Sequence, residues 1–162
     1  MCLVVDFKIT SNMKTFFEFE ADFVTSLRCI PMQVRYKLDT CGIKLKLSDW
    51  LQMTQDEREA LFELPCSTQT EIETYKEYLQ QLILERTGTP VVQLPIDPYP
   101  VWMDSSNLPV TLQEKAQELG VNLTLEKWMA LTSLQRFALI KLSRPSHENK
   151  NFPNAIAEFH LL

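Results

Sequence analysis

Displacing the sequence by 78 positions lays residues 109–142 over residues 31–64 without a gap, and eleven of the 34 aligned positions are identical. The identities are Pro31/Pro109, Lys37/Lys115, Gly42/Gly120, Leu45/Leu123, Leu47/Leu125, Trp50/Trp128, Thr54/Thr132, Arg58/Arg136, Ala60/Ala138, Leu61/Leu139 and Leu64/Leu142. A chain that repeats itself at a fixed offset is read as one supersecondary unit used twice, which restricts the fold before any other property is considered.

The shared positions specify what that unit is. Pro31 and Pro109 suit a helix N1 position, where the missing N–H has no intrahelical partner to lose. Ile30, Val34, Leu38 and Cys41 in one copy, and Leu108, Leu112, Ala116 and Leu119 in the other, follow i, i+4, i+8, i+11 spacing and predict a buried stripe on each helix. Gly42 and Gly120 suit the left-handed C-terminal cap that stops each helix. Residues 43–47 and 121–125 then alternate apolar and polar like half-buried strands and are candidates to pair with each other. Thr54-x-x-Glu57 and Thr132-x-x-Gln135 are capping boxes that open a second helix, running to about Leu64 and Leu142. Trp50 and Trp128 precede those starts as core aromatics. The expected fold is mainly α: one domain over 1–162 with two helix, Gly turn, short extended segment, helix units and a minor two-stranded β pairing.

Between the copies, Thr68-x-x-Glu71 opens one long helix with Ile72, Tyr75, Leu79, Leu82 and Ile83 on its apolar face and Gly88 beyond its end. The connector 89–108 carries Pro90, Pro95, Pro98 and Pro100, which forbid helix and favour extended chain. It packs on its own domain or serves as a Pro-rich docking segment. At the N-terminal side, periodicity in 16–23 fits both strand and helix. A short extended entry with a helix from about Ala21 is favoured, the first dozen residues being loosely held. From Ser143 the tail reads as loop as far as a short helix over Ile156–Leu162.

The chemistry the chain does not encode narrows its function. His147 and His160 lie 13 residues apart, outside any close zinc-ligand spacing. With only Gly42, Gly88 and Gly120, no glycine loop for a nucleotide and no GxSxG elbow can be written. Asp56, Glu57, Glu59 and Glu63, with Arg58 among them, read as a solvated helix face. Arg58 and Arg136 recur in both copies, which assigns them a structural duty such as an ion pair or a carbonyl contact. Cys2, Cys29, Cys41 and Cys66 have no regular spacing, as in a reducing cytoplasm. The net charge of -5 opposes attraction to phosphate backbones and anionic lipid. Neither a signal peptide nor a membrane span is visible. The expectation is a cytoplasmic protein that is not an enzyme and needs no cofactor or metal.

Phe17-Glu18-Phe19-Glu20-Ala21-Asp22-Phe23, then Leu27-Arg28-Cys29-Ile30-Pro31-Met32, Val34-Arg35-Tyr36-Lys37-Leu38-Asp39, Gly42-Ile43-Lys44-Leu45 and Trp50 resemble the nitrate reductase-associated protein family. The resemblance covers most of the chain from about Phe16 and is densest from Leu27 to Trp50. It implies a small cytoplasmic accessory or assembly factor that binds and supports an assimilatory nitrate reductase. The alternatives are a cofactor-binding protein or enzyme in molybdenum-cofactor handling, which would need Cys29 or Cys66 accessible and reactive, and a DNA-binding regulator.

Polar positions that differ between the copies are released from the shared structural duty. Arg28, Cys29, Arg35 and Asp39 stand against Ser106, Asn107, Gln113 and Gln117. Those four are the candidate partner-binding residues. The helix start that Arg28 and Arg35 flank is a candidate seat for an anion, and an Arg35–Asp39 ion pair one turn apart is the other reading.

Overall fold

A computed structural model describes residues 16–21, 26–145 and 150–162. Its contacts divide the chain into two compact units, Met1–Ile96 and Asp97–Leu162, where the sequence reading treated 1–162 as one domain. The division falls inside the Pro-rich connector, so each unit holds one of the two matching segments. The described residues are mainly helical, with one two-stranded antiparallel sheet.

In the first unit, α1 (Met32–Cys41) ends at Gly42, whose φ of 73° is left-handed. The Gly42 N–H donates to the Leu38 carbonyl at 2.9 Å, a single 5→1 closure. Strand β1 (Ile43–Lys44) follows, then the short α2 (Leu47–Leu51), α3 (Gln55–Glu63) and the long α4 (Gln69–Thr87). Both capping boxes close in both directions: Thr54 Oγ1 accepts from the Glu57 N–H while Glu57 Oε1 accepts from the Thr54 N–H, and Thr68 and Glu71 do the same. Gly88 takes the left-handed cap of α4. Val34, Cys41, Trp50, Leu61, Tyr75 and Leu79 form the buried centre.

The second unit runs from a 3-10 turn, Val101–Met103, through α5 (Val110–Glu118), α6 (Leu125–Ala130) and α7 (Ser133–Ser143) to α8 (Phe152–Glu158). Here Gly120 closes by a Schellman pair: its own N–H reaches the Gln117 carbonyl at 2.9 Å, and the Val121 N–H reaches Ala116 at 3.0 Å. Thr124 and Thr132 cap α6 and α7. Leu112, Leu123, Trp128, Phe137, Leu139 and Phe152 are buried.

Several expectations are corrected. Residues 43–47 and 121–125 do not pair. Ile43 and Lys44 pair with Gln93 and Val92 of strand β2 (Val92–Gln93), and residues 121–124 form no strand. The cause is local to Gly42, whose carbonyl accepts the Leu94 N–H at 2.8 Å and whose missing side chain leaves the room for that approach. In the second segment the alternation of Val121 and Leu123 reflects one-sided burial without a ladder. Leu47 and Leu125 open short helices instead of ending strands, and both are exposed.

Pro31 and Pro109 sit one residue earlier than expected, as N-caps in extended conformation. Each still accepts the first intrahelical bond through its carbonyl. Leu119 leaves the expected apolar stripe, because α5 ends at Glu118 and the Schellman turn buries Val121 while Leu119 stays exposed. The terminal helix begins at Phe152, four residues ahead of the expected Ile156, because Pro153 occupies a first-turn position where proline is compatible with helix. Near the N-terminal side Phe17 is extended and Glu18–Glu20 form a 3-10 turn. The first dozen residues, His147, and the course of the chain over 22–25 lie outside the described residues.

Candidate functional site

The block singled out from the sequence surrounds the start of α1. Arg28 and Cys29 are exposed just ahead of it, and Arg35 and Asp39 are half-buried on it. The helix start is already capped by a carboxylate: Glu20, buried, accepts the Met32 N–H on Oε2 at 3.1 Å. Pro31 has no side chain that can cap α1, and Glu20 supplies the missing acceptor from 12 residues away. The carboxylate also lies at the positive end of the helix dipole.

Immediately upstream, Leu27 is buried with a φ of 55°. That region is costly for a residue with a Cβ. Its carbonyl accepts the Trp50 indole N–H at 2.8 Å and the Arg58 Nη1 at 3.4 Å. Arg58 also binds the carbonyls of Trp50 and Leu51 at 3.0 Å each. The strained residue is thus tied down by the two side chains that follow the loop, and Arg28 and Cys29 project from a fixed backbone. In the second unit Arg136 binds the carbonyls of Trp102, Trp128 and Leu131. Both recurrent arginines therefore make the carbonyl contact expected of a structural duty. Glu57, expected on a solvated face, pairs instead with Arg86 of α4 at 2.7 Å.

Sequence reasoning missed Lys37. It lies within the buried stripe 34, 37, 38, 41 of α1, and that placement was the available signal. Its Nζ donates to the Phe62 and Leu64 carbonyls, both at 2.6 Å, closing the C-terminal end of α3. The ring of Tyr75 lies 5.7 Å away, and the Tyr75 hydroxyl donates to the Leu61 carbonyl at 2.7 Å. Lys115, the matching residue, instead makes a surface pair with Glu118 at 3.0 Å.

Burial pushes the Lys37 ammonium down to about 8, against the pull of Cys66 and Glu63. Burial pushes the thiols up, Cys41 to about 12 and Cys66 to about 11, and raises the Tyr75 hydroxyl well above its usual value. The signs set a pH optimum. The unfolded chain holds the Lys37 proton up to its ordinary value of 10.5, so stability rises as pH climbs above about 8. Unfolded thiols ionise near 9 and folded ones later, so above pH 9 stability falls. Urea denaturation from pH 7 to 11 is expected to give a maximum near pH 9. Lys37→Met is expected to abolish the rising limb and leave the fall. A rising limb that persists in that variant would remove Lys37 as its source.

Cys66 and Cys41 are buried free thiols with raised values, the opposite of a reactive cysteine. Cys29 is free and exposed. Among the described residues no cluster of three His, Cys, Asp or Glu side chains is placed to hold a metal ion, and no helix is long and apolar enough to cross a membrane.

Comparison with protein-family profiles matches residues 16–159 to the conserved nitrate reductase-associated protein family. The chain belongs to this family. The match spans both compact units, so the nitrate reductase-associated fold includes the second segment, connector and terminal helix as well as the Leu27–Trp50 block that carried the resemblance. Neither the curated proteins nor the solved structures contain a match to the chain.

Proposed function

We propose that this nitrate reductase-associated protein is a non-enzymatic accessory or assembly factor that works in the cytoplasm by binding the polypeptide of an assimilatory nitrate reductase. The family match carries the reading. The way the chain uses its reactive groups supports it: Arg58, Arg136 and Lys37 are committed to backbone carbonyls, and two of the described thiols are buried. The contact surface we assign is Arg28 and Cys29, with Arg35 and Asp39 of α1 beside them. Because Glu20 fills the helix start, Arg28 and Arg35 act on a partner's carboxylates through their own guanidinium groups.

The test is a titration of purified nitrate reductase with the full chain and its variants. Arg28→Ala combined with Arg35→Ala is expected to weaken binding about tenfold or more, the loss of about 1.4 kcal/mol. Arg58→Lys and Arg136→Lys, where they remain folded by circular dichroism, are expected to bind like the parent. Equal losses from both pairs would sink the assignment. Cys29→Ser separates the molybdenum-cofactor reading, which requires that thiol, from the polypeptide reading, which survives its replacement.

A further inference from the structure

The space between the first and last helices of the matching segments is filled in one unit and is a cleft in the other. In the first unit the ring of Phe16 lies 4.5 Å from that of Phe62, near the end of α3. Gln33 Nε2 and Lys37 Nζ, both on α1, donate to the Phe62 carbonyl at 3.5 and 2.6 Å. Four residues beyond Phe16, Glu20 Oε2 accepts the Met32 N–H that opens α1. A ring and a carboxylate from outside residues 31–64 thus complete this helix pair.

In the second unit the matching place, between α5 and the end of α7, is a cleft of about 410 Å³. Pro109, Thr111, Leu112, Lys115, Ile140 and Ser143 are among its walls. The sequence explains why it stays open. Thr111 is shorter than Gln33, and Ile140 is smaller than Phe62. Lys115 is drawn away to Glu118 at 3.0 Å, and Ser143 Oγ donates to the Ile140 carbonyl at 2.8 Å where the first unit uses a lysine. The positions 78 beyond Phe16 and Glu20 are Leu94, which belongs to the first unit, and Pro98, so neither a ring nor a carboxylate recurs there. Among the described residues no side chain accepts the Val110 N–H that opens α5.

The charges on the walls balance, Glu114 and Glu118 against Lys115 and Arg144. An ammonium group seated at the end of α7, as Lys37 is at the end of α3, would meet Arg144 where the first unit has Cys66. At the other end of the cleft, the start of α5 carries the positive end of its helix dipole and favours an acid. We propose that the cleft binds a segment of a partner polypeptide that lays an aromatic side chain on Ile140 and, four residues on, offers a carboxylate to the Val110 N–H. The chain's own Phe16–Glu20 turn makes both contacts at the matching positions of the first unit. The site does not depend on the reductase being the partner.

The probe is an end-blocked peptide of the Phe16–Ala21 sequence, with Phe17→Ala and Phe19→Ala so that one ring remains, titrated into the full chain and followed by amide NMR. Shifts at the Val110, Thr111 and Lys115 amides are expected to saturate near or below about 1 mM. Adding Phe16→Ala to the peptide is expected to weaken binding about tenfold or more, and adding Glu20→Gln about threefold. In the full chain Thr111→Trp, which fills the cleft from an exposed position, is expected to remove binding with the circular dichroism of the parent. Val110→Pro removes the N–H where proline suits a helix start. It is expected to erase the difference between the Glu20 and Gln peptides and to leave the need for the ring. No shift at the three amides overturns the proposal. Shifts at Met32 and Phe62 instead, with the probe displacing the chain's own turn, overturn it too. Free 3-phenylpropionate binding as tightly as the peptide would give the cleft to a small aromatic acid and overturn the polypeptide.

Discussion

Replacing Trp50 or Trp128 by Ala is expected to cost about 3 to 5 kcal/mol in each case, a large share of the 5 to 15 kcal/mol that typically separates folded from unfolded domains. Both indoles are fully buried, so truncation leaves a cavity the size of a bicyclic ring, which packed neighbours fill only in part. Each also donates a hydrogen bond that Ala cannot replace. The Leu27 carbonyl keeps Arg58 as a weaker donor at 3.4 Å after Trp50 is lost. Trp128 is the donor to Asp104, and its ring lies 5.7 Å from the Arg136 guanidinium, so its removal also unsettles the clamp that holds Trp102. Chemical denaturation of both variants checks the expectation. A loss below about 1 kcal/mol in either would show that its site collapses around the smaller residue.

The paired tryptophans also test the duplication. We propose that residues 31–64 and 109–142 are one unit used twice. The same order of elements supports this: helix, left-handed Gly, extended link, short helix around the Trp, then a Thr-capped helix. An Arg eight residues past each Trp binds that Trp's carbonyl. If the segments share one design, the two Trp→Ala losses should be of similar size. A severe loss at one site and a mild loss at the other would count against a shared design.

What the sequence made legible and what it hid follow one physical division. Features set by neighbours in the chain were readable: Thr54, Thr68 and Thr132 capping, Gly42 and Gly120 ending or turning the chain, and the buried stripe of α1. Features set by distant partners were not. Nothing near Pro31 shows that Glu20 caps the helix, because the contact spans 12 residues and the reading left 16–23 open between strand and helix. Lys37 reads as one more repeated polar position until α3 is placed beside it, and only then do the Phe62 and Leu64 carbonyls explain why a lysine stands in an apolar stripe. Pro153 misled by its ordinary meaning: in a polar tail it marks a loop, yet in the first turn of a helix it costs nothing. The Arg28 to Asp39 block was singled out by comparing the copies, whereas the 97–104 segment was noticed for its prolines and for Tyr99 and Trp102, without the ties of Trp102 and Asp104 to Arg136 and Trp128 that only distant packing supplies.

Gly42 is where local conformation and distant packing meet, and Gly42→Ala is expected to cost about 2 to 5 kcal/mol. Its φ of 73° alone penalises any Cβ by about 1 to 2 kcal/mol. Gly88 and Gly120 have φ values of 70° and 73°, and a Cβ at either would meet open space. Replacing those two by Ala therefore measures the conformational penalty with little else. A Cβ on Gly42 would lie 2.7 Å from both the Leu94 carbonyl oxygen and Ile96 Cγ1. The Ile96 side chain can turn away, but the Leu94 oxygen is backbone on the segment that completes the sheet. Relief requires the 94–96 chain to retreat, which breaks the Leu94 N–H bond to the Gly42 carbonyl and exposes Ile43. Two readouts are then expected together: a drop in stability beyond that of Gly120→Ala, and faster hydrogen exchange at the Leu94 amide. If Gly42→Ala and Gly120→Ala cost the same, and Leu94 exchanges as in the parent, the close approach does not constrain position 42 and its glycine serves the helix cap alone.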